Sequence, residues 1–183
     1  MGWTLWTGDL LWAIARKYRI SHALGWHYLR GGATPDVPPI IVISTVSFMG
    51  VLAGLVAAVV ILVLIGIERL GGGFTNDALL IKNLTFYFGH MLVNITMYFG
   101  VAMVYEVLPT YAGRPWKTNT LVVVAWNLVL LLVMFAYLHH LYMDFAQPQW
   151  LQVTGQLSSY LISVPAGGVS IFSTPVLVFG SNI

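Results

Sequence analysis

The chain has 183 residues, 58% of them hydrophobic and 8% charged, with a net charge of +2. A soluble domain carries roughly a quarter charged residues, so much of this surface is built for lipid, and so small a charge without a basic run excludes a nucleic-acid binder that tracks phosphates. Cysteine is absent, which excludes disulfides and thiolate metal sites and leaves His, carboxylate, Met or backbone oxygen as metal donors.

In chain order, residues 1–37 are the least apolar part. Trp3, Leu5, Trp6, Leu10, Leu11, Trp12, Ile14 and Ala15 predict a short interfacial helix, or the tail of a span, with Asp9 placed to cap or interrupt it. The start lacks a basic region and a small-residue cleavage site, so insertion is expected from the spans rather than from a signal peptide. Arg16, Lys17, Arg19 and Arg30 follow, then Gly31-Gly32 and Pro35, Pro38 and Pro39, which read as a solvated loop facing the membrane. His22 and His27, five apart in this polar segment, read as exposed loop histidines.

A first span is predicted over residues 40–67. Its Gly50 and Gly54 fit the small-xxx-small spacing for close helix packing, and Glu68, Arg69 and Gly71-Gly72-Gly73 end it. A second covers 81–108, with His90 and Asn94 one turn apart and then Tyr98 and Tyr105. Pro109, Gly113 and Pro115 read as the following turn. Asn83-Leu84-Thr85 and Asn94-Ile95-Thr96 match the glycosylation pattern, but their position at or inside a span makes chance matches of them. The third span, 120–143, is an apolar run leading into His139-His140, with Asp144 four residues further on. The fourth, 150–179, is rich in Ser and Thr and is expected to break at Pro165-Ala166-Gly167-Gly168. The whole reads as one all-α integral membrane domain of four transmembrane helices. Loop charges orient it: Arg16, Lys17, Arg19, Arg30, Arg114 and Lys117 fall on one side, Arg69 and Lys82 on the other, which puts the N-terminus inside.

Ionisable side chains within spans are costly and mark functional paths. His90 lies 19 residues before Pro109 and His139 lies 21 after Thr118, so in an antiparallel hairpin both stand roughly 30 Å from the turn and level with each other. Neighbouring residues on a helix diverge by about 100°. His139 and His140 therefore share one ion only through a distorted turn or through different ring nitrogens. Three imidazoles at one depth suit copper or zinc with an open fourth position. Haem ligation is a further option, though a cluster does not offer facing partners.

Phe88-Gly89-His90, Tyr105, the turn Leu108-Pro109-Thr110-Tyr111-Ala112-Gly113-Arg114-Pro115, Tyr137-Leu138-His139-His140-Leu141-Tyr142 and Val164-Pro165 resemble the sixth to eighth spans of the catalytic subunit of haem–copper oxidases, in the branch that includes the ba3-type enzymes. From about Thr34 onward the chain resembles the fifth to eighth spans of that twelve-helix bundle. The resemblance implies that His90, His139 and His140 bind copper facing a haem, and that O2 is reduced to water there with proton translocation. It implies a prokaryotic plasma membrane, further spans and a subunit II as partners, and cytochrome c or a quinol as electron donor.

Three departures stand beside it. No residue matches the histidines that hold the haems, so the chain is expected to be a fragment, a split gene product or a truncated form that is incomplete as an oxidase. Where many oxidases carry a tyrosine one turn after the first copper ligand, this chain has Asn94, with Tyr98 a further turn on as the candidate substitute. Hydroxyls for proton uptake are matched only loosely by Ser163, Ser170 and Ser173. The missing tyrosine admits nitric oxide reduction by the same superfamily as the alternative. The lack of an acid near His90, with Glu106 over four turns away, leans back to copper. A non-catalytic membrane fragment without haem is the third reading.

Overall fold

The computed structural model describes residues 2–71, 73–116 and 119–179, with the side chains of residues 176 and 178 left aside. Gly72, Lys117 and Thr118, which figure in the expected loops, lie outside the described residues. Six α-helices follow in order: α1 (Gly2–Lys17), α2 (Ile20–Ala23), α3 (Pro39–Leu70), α4 (Ala78–Ala112), α5 (Asn119–Ala136) and α6 (Gln149–Phe179). Short 3-10 turns occupy Tyr28–Arg30 and Tyr137–Leu141. There is no strand among the described residues.

Among the described residues, three stretches are long and apolar enough to cross a membrane: α3, α4, and α5 with its 3-10 extension to Leu141. α6 has 31 residues, and two of its side chains, at 176 and 178, lie outside the described residues. The helix starts follow from local chemistry. Pro39 occupies the first turn of α3, where a missing N–H costs nothing. The Asp77 carboxylate caps α4 by accepting from the amides of Leu79 and Leu80, at 2.8 and 3.4 Å. Gly113 ends α4 with φ +61, the left-handed conformation glycine takes most readily.

Two expected breaks are absent. α4 runs through Pro109 to Ala112, and α6 runs through both Pro165 and Pro175. Unwinding a helix in hydrocarbon strands backbone donors and acceptors, so continuing past a proline costs less than stopping. Asp9 likewise leaves α1 unbroken. Along α6, Thr154, Ser158, Ser159 and Ser170 turn their hydroxyls back onto carbonyls one turn earlier, which hides polar groups in a helix.

α3 packs along α4, α5 packs along α6, and α5 also touches α3. Gly54 permits the first contact: a Cβ there would stand 2.9 Å from the Met91 Cβ. α4 and α5 stand apart along most of their length, with Tyr98 edge-on against Trp126 between them. They close at the far end, where the Tyr137–Leu141 turn lies on α4. Trp126, Ile43, Val46, Ala102, Val122, Val129 and Val169 form the core. α1 lies against α3, with Trp6 edge-on to Phe48 and Phe99.

The α1–α3 connection is tied to the helices. Asn127, within α5, donates to the Leu24 carbonyl at 3.0 Å and accepts from Trp26 Nε1 at 3.0 Å. Gly25 turns there with φ +76, so close to α5 that a Cβ would overlap Val123. His22 and His27 are half-buried and face each other, where exposed loop positions are expected.

Candidate metal centre

His90 projects from α4 among buried neighbours, while His139 and His140 sit in the 3-10 turn that continues α5. The three offer ligand nitrogens that all lie within 4.8 Å of one another. Ring centroids are 5.1 Å apart for His90 and His139, 5.3 Å for His90 and His140, and 4.2 Å for His139 and His140. The helix leaves α geometry at Tyr137, so the doublet stands on a distorted turn. Among the described residues no carboxylate joins the three, and Glu106 is exposed.

His90 Nδ1 lies 3.2 Å from His140 Nε2. That is a hydrogen bond when one nitrogen carries a proton. It also matches an edge of a tetrahedron with metal–nitrogen bonds of about 2.0 Å, roughly 3.3 Å. His90 Nε2 is buried without a hydrogen-bond partner among the described residues. Phe86 stacks on His140, with centroids 5.5 Å apart and planes 17° from parallel, and this fixes one face of that ring.

His139 is oriented by α6. Ser159 Oγ donates to the Gly155 carbonyl at 2.7 Å, so its lone pairs face the His139 Nδ1 atom at 2.9 Å. His139 therefore donates from Nδ1, and its Nε2 keeps the lone pair a metal needs. A metal-bound histidine commonly has its other N–H held in this way. Gly155 lets the turn approach. A Cβ there would lie 2.5 Å from Leu138 Cβ, 2.8 Å from the Leu138 carbonyl carbon and 3.0 Å from His139 N. Beyond the turn, Lys82 of α4 pairs with Asp144 at 2.6 Å. That hydrogen bond holds the Asp144 carboxyl below the usual carboxylate range.

The other candidates take different places. Asn94 donates from its amide to the His90 carbonyl at 2.8 Å, so it acts on the backbone of α4. Tyr98 has a buried hydroxyl with no partner among the described residues. Both line a small cavity with Ser47, Gly50, Met91 and Val133. Ser170 meets the Tyr105 hydroxyl at 2.9 Å, whereas Ser163 bonds back to Tyr160.

Three imidazoles within one ion's reach fit a copper or zinc ion with room for a further ligand. They do not fit haem, which needs a ligand facing an open macrocycle, and His22 and His27 face each other instead. Sequence reasoning missed Gly155, Ser159 and the Lys82–Asp144 pair. No local signal marks the first two, since both act across a tertiary contact.

The family model described as Cytochrome C and Quinol oxidase polypeptide I matches residues 3–182. No curated protein and no solved structure matches the chain.

Proposed function

The chain belongs to the cytochrome c and quinol oxidase polypeptide I family, and from that premise we propose that it supplies the copper side of a haem–copper centre that reduces O2 to water in a terminal respiratory oxidase. The observation that carries the reading is the convergence of His90, His139 and His140 in a chain built of apolar helices. In this reading the three imidazoles are the copper ligands. Bound copper would supply a redox-active Lewis acid. Ser159 holds the proton of His139 on Nδ1 and so leaves Nε2 for the ion. Phe86 and the Lys82–Asp144 pair hold the doublet against α4.

The haems belong to residues outside this chain's five histidines, and the remaining spans and subunit II complete the enzyme. The branch is that of the ba3-type enzymes, and α6 is the fourth crossing. The N-terminus lies inside a prokaryotic plasma membrane, electrons come from cytochrome c or a quinol, and turnover moves protons. Asn94 and Tyr98 are the residues assigned to the place of the missing tyrosine. Tyr98 holds the phenol, and Asn94 lies between it and His90 along α4.

The test is copper analysis of the purified protein. His90→Ala, His139→Ala and His140→Ala each lose copper, and full copper in any one removes that residue from the ligand set. Asn94, in place of a tyrosine, favours a second reading, nitric oxide reduction on the same scaffold. Turnover of O2 against NO in the assembled complex separates the two. Haem bands absent from that complex would leave the non-catalytic reading.

A further inference from the structure

We propose that His22 and His27 form a second transition-metal site, separate from the His90–His139–His140 cluster and independent of the oxidase reading. The argument starts from a forced tautomer. His27 Nε2 lies 2.9 Å from the Pro35 carbonyl oxygen, which only accepts, so Nε2 carries the proton. The lone pair of His27 is therefore on Nδ1. That atom is shut off from solvent and has no hydrogen-bond partner among the described residues. A histidine whose one nitrogen donates to a backbone carbonyl while the other is left bare is arranged as metal-bound histidines are.

The second ring is in position. His22 and His27 have centroids 4.9 Å apart, with planes at 74°. With metal–nitrogen bonds of about 2.0 Å, a metal sits about 3.2 Å from each ring centroid. Two such rings at coordination angles between about 90° and 109° then have centroids roughly 4.5–5.2 Å apart. The centroid spacing of the pair falls within that range, as do the His90–His139 and His90–His140 spacings of the other cluster.

The segment is held rather than loose. The His27 carbonyl accepts from Gly32 at 2.9 Å and its ring packs on Tyr28 with centroids 4.0 Å apart. Tyr28 is itself fixed by donating to Asp36 at 2.9 Å. Asn127 ties the Leu24–Trp26 turn between the two histidines to α5. Among the described residues no third His or acid joins them, so the pair offers two protein ligands, one fewer than the His90 cluster. The donor set selects a borderline divalent ion of the zinc and copper class.

The experiment is equilibrium dialysis of the full chain in detergent against Zn2+, with bound zinc counted per chain. The unaltered chain binds two equivalents. His22→Ala and His27→Gln each bind one, and so does His90→Ala. The His27→Gln side chain still donates to the Pro35 carbonyl but offers no ring nitrogen, so it separates metal loss from loss of the loop. Among the described residues the His22 side chain makes no hydrogen bond that the substitution would break, and its backbone bonds to Arg19 and Gly25 remain. Combining His22→Ala with His90→Ala leaves none. Two equivalents retained in both His22→Ala and His27→Gln would overturn the site, as would one equivalent in the unaltered chain that disappears with His90→Ala. One equivalent in the unaltered chain that persists in His90→Ala but disappears with His22→Ala speaks against the copper reading alone and leaves the His22–His27 site standing.

Discussion

Gly155→Ala tests whether α6 sets the geometry of the metal centre. The added Cβ would meet Leu138 Cβ at 2.5 Å, the Leu138 carbonyl carbon at 2.8 Å and His139 N at 3.0 Å. Carbon atoms rest at about 3.5–4.0 Å, so the turn must move off α6 by about 1 Å. Two of the three atoms are backbone, and no rotamer change relieves them. Overpacking of this kind costs about 1–3 kcal/mol. The movement also lengthens the His139–Ser159 hydrogen bond and takes a ligand away from the common point. If the whole cost falls on the metal-bound state, copper affinity drops roughly 5- to 150-fold. The assay is copper titration of the detergent-solubilised chain, with helicity followed by circular dichroism. Gly89→Ala is the control. Gly89 adjoins His90 in sequence, yet a Cβ there meets nothing within 4 Å, so its copper affinity stays within about twofold of the unaltered chain, the few-tenths of a kcal/mol range of a neutral surface change. Unaltered copper affinity in Gly155→Ala, or an equal loss in Gly89→Ala, would refute the reasoning.

Asn127→Leu removes the donor to the Leu24 carbonyl and the acceptor of Trp26 Nε1, and leaves a carbonyl unpaired beside α5, at a cost of about 1–3 kcal/mol. The expected outcome is several-fold faster tryptic cleavage at Arg30 with helicity unchanged; cleavage at the original rate would show that the loop is held by packing alone. Asp144 gives a pH signature. Its carboxyl is held below the ordinary 3.8 by the Lys82 hydrogen bond. A group with a lowered folded value contributes stability above its unfolded value and loses it as the pH falls through the folded one. Asp144→Asn is therefore less stable than the unaltered chain at neutral pH, and the gap in thermal melts closes as the pH falls below 3.8. A gap that persists in acid would assign the loss to something other than the ion pair.

The spans and the histidines were legible for one shared reason: hydrocarbon penalises polarity, so long apolar runs and the few ionisable groups inside them both stand out. Residues 40–67, 81–108 and the run into His139 fall within Pro39–Leu70, Ala78–Ala112 and Asn119–Leu141 apart from the last two positions. The same penalty explains the misread breaks. Pro109 and Pro165 end helices in water, where a freed carbonyl is hydrated, but in lipid the chain keeps its helix. What stayed illegible depends on contact between distant segments. Gly155 and Ser159 look like ordinary small residues of a polar helix, and their meaning comes from a turn 20 positions before Ser159. His22 and His27 read as exposed loop histidines because they lie in a polar segment, and the left-handed turn at Gly25, with φ +76, lies between two rings whose centroids stand 4.9 Å apart. A glycine in that conformation, pressed on Val123 and bracketed by the bonds of Asn127, cannot be replaced without displacing the turn between the two histidines. The pairing at residues 22 and 27 and the docking of that loop on α5 are thus one structural feature, so a change that frees the loop must also loosen any ion held there.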